Sequence, residues 1–101
     1  MVMLDRRPPE RPGHVGADGD ELELSYLLLP AHWGRGIAHE ACSMLLRSAA
    51  EVWPGEVVLV VTQTANVAAV AVAERLGFEH VESVEEFGAT QWLGARTLQG
   101  M

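Results

Sequence analysis

One short segment holds the residue types best suited to ligand chemistry: His32-Trp33-Gly34-Arg35-Gly36-Ile37-Ala38. It lies between an apolar run that reads as a strand and a helical pattern, where unpaired helix N–H groups and the positive end of the helix dipole face outward. Such a place attracts anions. Gly34 and Gly36 let the backbone approach an anion closely, and Ala38 adds little bulk to the first helical turn, so a diphosphate fits. A tight turn before any helix would use the same residues, and the Gly-x-Gly spacing alone leaves both readings open. The dinucleotide fingerprint is incomplete, because His39 stands where a third Gly is needed and no acidic residue ends the next strand. The phosphate-binding P-loop is excluded as well, since no Gly-Lys-Ser/Thr follows.

The remaining candidates read as structure. His14, His32, His39 and His80 offer no i, i+4 pair with an acidic third ligand, so no metal site is expected and they are assigned to surface or structural roles. Cys42 follows His39 by one turn, but a single cysteine on the apolar side of a helix belongs to a core rather than to a thiol–imidazole pair. Trp53 and Trp92 are packing residues, whereas Trp33 abuts the loop and is placed to touch a ligand. Glu82, Glu85 and Glu86 read as a solvated turn, and the acidic surface suits a basic partner such as an amine or a basic peptide N-terminus.

These residues need a scaffold, and the patterns around them supply one. Residues 1–20 contain Pro8, Pro9, Pro12, Gly13, Gly16 and Gly19, a density of breakers that predicts an irregular leader with at most the end of an edge strand at His14-Val15-Gly16. Residues 21–98 form the domain and 99–101 a tail. Glu21 to Tyr26 alternates polar and apolar side chains and passes into Leu27-Leu28-Leu29 before Pro30, the pattern of a strand whose second half is covered on both faces. Ile37, Ala41, Met44, Leu45, Ala49 and Val52 recur at helical spacing from Gly36 to about Trp53, and Pro54-Gly55 ends that helix. Val57 to Thr62 is a β-branched run of buried-strand type, so strand, helix and strand imply a right-handed parallel crossover. Asn66 is a good N-cap for a second helix ending near Leu76 at Gly77, and its apolar middle, Val67 to Ala73, predicts that it is largely buried. Phe78–Val84 and Phe87–Leu98 read as two antiparallel strands joined at Glu85-Glu86. The fold class is α/β with a mixed sheet, in the order strand, helix, strand, helix, strand, strand.

Composition narrows the function. The 101 residues are 49% apolar and carry 7 Lys+Arg against 14 Asp+Glu, a formal charge of −7. A chain so apolar is folded, and it has no run long enough to span a bilayer. Without a basic run it lacks the usual source of affinity for nucleic acid. One cysteine allows no intramolecular disulfide, and no signal-peptide pattern begins the chain, so a cytoplasmic setting is expected.

Three segments in order resemble one family, the GNAT superfamily of N-acetyltransferases, and within it the branch related to ribosomal-protein N-terminal acetyltransferases. Glu23 to Pro30 resembles its fourth strand, Trp33-Gly34-Arg35-Gly36-Ile37-Ala38 its acetyl-CoA pyrophosphate loop, and Asn66 through Glu74-Arg75-Leu76-Gly77-Phe78 the motif of its last helix. The resemblance implies an acetyl-CoA-dependent N-acetyltransferase acting on a primary amine, either a small molecule or a peptide N-terminus. Trp33, Gly34, Arg35, Gly36, Ile37 and Ala38 would hold the pyrophosphate, the backbone of Leu28 and Leu29 would pair with the pantetheine arm where two parallel strands splay, and Asn66 would lie near that arm. Glu23 matches an acidic position of the branch and would accept the amine proton, directly or through water, with Glu21 on the same face.

Trp33 stands where the superfamily usually has Gln or Arg, although an aromatic residue is common there in this branch, and three other departures matter more. Ala73 stands where many members carry a tyrosine that protonates the leaving thiolate, and Ala69 where the branch often has serine, so water would supply that proton. About 20 residues precede the fourth strand, where full members place a first strand, two helices and further strands. A sheet without those strands exposes a pairing edge, and so small a core is modest, so a homodimer is expected. The same departures motivate an alternative, a non-catalytic acyl-CoA-binding remnant or interaction module of this fold.

Overall fold

The β-branched run from Val57 becomes the middle of a five-stranded sheet. The computed structural model describes residues 2–16, 19–26 and 37–99. Along the chain these are β1 (Val2–Arg6), β2 (Leu22–Tyr26), α1 (Ile37–Val52), β3 (Val57–Gln63), α2 (Val67–Arg75), β4 (Glu79–Glu86) and β5 (Ala89–Thr97). The sheet order is β1-β2-β3-β5-β4. Only β2 and β3 are parallel, and every other neighbouring pair is antiparallel. The expected parallel crossover through α1 is therefore present, and the mixed α/β sheet is the one the sequence pattern implies.

Residues 1–20 depart from the expected leader. Val2–Arg6 pairs with β2 from Val2↔Tyr26 to Arg6↔Leu22. The breakers begin only at Pro8, which leaves room for a short apolar strand ahead of them. His14-Val15-Gly16 is not a strand. The domain boundary expected at Glu21 thus falls inside the sheet.

The core lies on one face. Strand alternation turns Leu22 and Leu24 of β2, Val58 and Val60 of β3 and Trp92 of β5 toward the helices, where they meet Cys42, Leu46, Ala49 and Ala50 of α1 and Ala73 of α2. The buried stripe of α1 is rotated from the expected one: Ala49 is buried, but Met44 and Val52 are 59% and 64% exposed. α2 is less covered than expected, with Ala69 and Ala73 buried and Val67 74% exposed. Its apolar residues surround the helix, and among the described residues α1 and β3 are the elements that touch it most.

The caps of α2 follow the sequence. Asn66 Oδ1 accepts the Ala69 N–H at 3.1 Å. At the other end Gly77, with φ +89°, closes the helix as Phe78 N–H reaches the Ala73 carbonyl at 3.0 Å. β4 and β5 are joined at Phe87-Gly88, both at positive φ, so Glu85 and Glu86 are the last residues of β4 rather than the turn. Two central residues at positive φ give the right-handed twist that a two-residue hairpin needs.

The opposite face of the sheet is covered by the loop after β1. Leu59 and Leu93, which point away from the helices, are fully buried. Gly13 lies on Leu93 and Val84, so close that a Cβ at Gly13 would sit 3.2 Å from Leu93 Cδ2.

Candidate functional site

The two parallel strands part company early. β2 and β3 share two register pairs, Leu22↔Val58 and Glu23↔Leu59. Beyond them β2 continues to Tyr26 along β1, and β3 continues to Gln63 along β5. Each outer ladder holds its own strand while the inner backbone groups of Leu24–Tyr26 and Val60–Gln63 lose their mutual partner. The result is a cleft edged by peptide groups that can bond an extended, amide-bearing ligand.

Tyr26, the last residue of β2, lies toward the open end of this cleft and ties its strand to the helix that follows β3. Its hydroxyl donates to the Ala69 carbonyl of α2 at 2.6 Å. Burial, with the Cys42 thiol nearby, lifts Tyr26 above the usual tyrosine range, so the hydroxyl stays protonated. Burial also pushes the Cys42 thiol up to about 11. A neutral, buried thiol is a poor nucleophile, which suits the core role expected of Cys42.

On the other face lies a cluster that no sequence pattern announced. Arg7 is fully buried. Its guanidinium pairs Glu23 Oε1 at 3.1 Å and Glu86 Oε1 at 3.0 Å, and donates to the carbonyls of Pro12 and Gly13. Arg11 Nε holds Glu86 Oε2 at 2.7 Å and its guanidinium sits 5.3 Å from the Phe87 ring centroid. Burial alone would raise Glu86, but the hydrogen bonds from Arg11 and Arg7 outweigh it and hold its carboxyl below the usual range. Glu86 is therefore an interior counter-ion, not part of a solvated turn. Glu82 and Glu85 are exposed, as expected.

Glu23 is bound by this cluster. Its Oε1 takes Arg7 and lies 4.0 Å from Arg11 Nη1, while its Oε2 has no hydrogen-bond partner among the described residues. Glu21 serves the loop. Its Oε1 meets His14 Nδ1 at 2.8 Å, and its Oε2 accepts the N–H groups of Val15 and Gly16 at 2.6 Å each. Burial would raise its pKa, but the Gly16 N–H, the His14 ring and the Val15 N–H together lower it to about 2. His14 is structural, as expected.

Of the expected cofactor residues, Leu28, Leu29, Trp33, Gly34, Arg35 and Gly36 lie outside the described residues. Ile37 and Ala38 open α1. Asn66 spends its side chain on the cap of α2, which fixes the first turn of that helix beside the cleft. Arg7 was missed because its partners are 16 and 79 residues away, and such a pairing leaves no local period to read.

A family model described as an acetyltransferase (GNAT) domain matches residues 4–79. The chain belongs to the GNAT acetyltransferases. No curated protein matches it significantly. Among solved structures it is similar to a GnaT-family acetyltransferase of Bordetella pertussis, with 30% identity over 86% of this chain and 52% of that one, at a TM-score of 0.74. It shares the fold of a spermidine N-acetyltransferase of Vibrio cholerae, with 20% identity over 77% of this chain and 49% of that one, at a TM-score of 0.68. It also shares the fold of Arabidopsis thaliana NAA60 in complex with acetyl-CoA, with 14% identity over 96% of this chain and 62% of that one, at a TM-score of 0.70. This GNAT chain spans about half the length of the first two relatives.

Proposed function

We propose that this GNAT domain binds acetyl-CoA and transfers its acetyl group to a primary amine by direct attack in a ternary complex. The observation that carries the reading is the cleft left where β2 and β3 stop pairing after Glu23↔Leu59. By the family pattern the backbone of Leu28 and Leu29 would pair with the pantetheine arm, and the loop Trp33-Gly34-Arg35-Gly36, with Ile37 and Ala38 at the start of α1, would take the pyrophosphate. Attack needs a neutral amine, a polarised carbonyl and a proton for the thiolate. Backbone N–H groups at the cleft polarise the carbonyl. Glu23, with Oε1 held by Arg7, offers Oε2 to the amine proton. Water protonates the thiolate, because Ala69 and Ala73 carry no hydroxyl. A homodimer belongs to this reading, with β1, the edge strand among the described residues, as the strand that would pair with a second copy.

A second reading, acyl-CoA binding without turnover, is favoured by the Arg7–Glu23 pair at 3.1 Å, which already engages one oxygen of the candidate base, and by Ala69 and Ala73, which offer the leaving thiolate no proton. The two differ in turnover and not in binding. Isothermal titration with acetyl-CoA, followed by thiol release with a panel of amines and light scattering for the oligomer, tests them. Micromolar binding with amine-dependent thiol release supports transfer, and binding without release supports the second reading. A folded chain that binds no acetyl-CoA refutes both.

A further inference from the structure

Tyr26 joins the two walls of the cleft. β2 forms one wall and is held on its outer side by β1, with Val2 opposite Tyr26 at the last register pair. β3 forms the other wall and leads through Thr64-Ala65-Asn66 into α2. Among the described residues no ladder joins these walls beyond Glu23↔Leu59, so backbone pairing between them does not set the separation of Tyr26 from β3. The Tyr26 hydroxyl instead ties the β2 wall to the helix that follows β3, donating to Ala69 in the first turn of α2 at 2.6 Å. That turn is itself fixed by the Asn66 cap at 3.1 Å. The ring packs against the core formed by α1 and the sheet, so the hydroxyl is carried on a side chain with little freedom to swing.

We infer that Tyr26 is a positioning residue for the cofactor: its hydrogen bond to Ala69 sets the width of the β2–β3 cleft to that of an extended amide chain. This rests on the acetyl-CoA reading above. The bond joins groups 43 residues apart, and the two outer ladders hold β2 and β3 in the sheet without it. Its loss therefore weakens ligand binding more than folding. A net hydrogen bond of ordinary strength corresponds to about a fivefold change in affinity.

The test compares the full chain with Tyr26→Phe, which keeps the ring and removes only the hydroxyl. Acetyl-CoA affinity is read by titration and stability by the urea midpoint, both under conditions where circular dichroism shows each protein folded. The expected result is an affinity about fivefold weaker with the midpoint nearly unchanged. An unchanged affinity overturns the inference, as does a loss of affinity that appears only in step with a lowered midpoint. A folded wild-type chain that binds no acetyl-CoA overturns the cofactor reading and this inference with it, whereas wild-type binding matched by the variant overturns this inference alone. Tyr26 is the single tyrosine, so a 13Cζ label on the unmodified chain gives one signal and covers the case of a variant that does not fold. That signal is expected to move when acetyl-CoA is added, and a signal that stays in place on saturation overturns the inference.

Discussion

Replacing Arg7 by methionine keeps most of the side-chain volume and removes a fully buried guanidinium that pairs Glu23 at 3.1 Å and Glu86 at 3.0 Å. Both carboxylates then remain in place with side-chain exposures of 13% and 9%. Leaving a buried charge without its partner costs about 3–5 kcal/mol. Glu86 keeps Arg11 at 2.7 Å, and Glu23 retains some contact with water, so the lower end applies, about 3 kcal/mol. With a urea slope of about 2 kcal/mol/M, the midpoint falls by about 1.5 M. Tryptophan fluorescence reads the transition. Glu23→Gln in the Arg7→Met background removes one stranded charge, so the double variant is expected to lose at least about 1 kcal/mol less than the sum of the two single losses. A midpoint within about 0.3 M of wild type, or strict additivity of the two substitutions, would refute the reasoning.

Other consequences are equally direct. Glu21 is lowered from an ordinary value of 4.5 to about 2, so its contribution is complete above about pH 5 and is lost as pH falls toward 2. Urea titrations between those limits should lose on the order of 3 kcal/mol in wild type from this group, and Glu21→Gln should flatten that part of the profile. If Glu23 is the base, Glu23→Gln lowers turnover and shifts its pH profile while acetyl-CoA affinity holds, and an unaltered profile removes Glu23 from the chemistry. Phe87 sits at φ +55° and is 81% exposed. Phe87→Asn should raise the thermal midpoint by a few degrees, about 1 kcal/mol, because asparagine tolerates the left-handed conformation; an unchanged or lower midpoint would mean that the Arg11 contact is the larger effect.

Much of the fold was legible because it is written in local periods. The Val57 run, the Asn66 cap and the Gly77 stop each depend on residues within a few positions of one another, and each appears where expected. β1 was hidden by the prolines that follow it, which describe the loop at residues 7–16 and say nothing about Val2–Arg6. The exposed Met44 and Val52 illustrate a different limit: helical spacing defines a stripe, and packing against β2 and β3 decides how far that stripe is rotated. The Arg7 cluster was out of reach for a third reason. Glu86 next to Glu85 looks like any pair of surface acids, and only the folded sheet brings it to an arginine at the start of the chain. At the site, the parting of β2 and β3 agrees with the splay that the family resemblance implies, while the role of Tyr26 needed coordinates, since a tyrosine in an alternating strand reads only as another inward-facing residue.

The Arg7 cluster also orders events in time. Arg7 needs Glu86, 79 residues later in the chain, and Gly13 packs on Leu93 and Val84 of the last hairpin. As the chain leaves the ribosome, β1 can find β2 early, but the loop between them has nothing to close upon until β4 and β5 have emerged. Until then the buried-type arginine and the back of Leu59 face water. Closure of that loop is thus a late, long-range step that waits for the final hairpin, and it makes the C-terminal strands the gate through which the N-terminal segment reaches its native place.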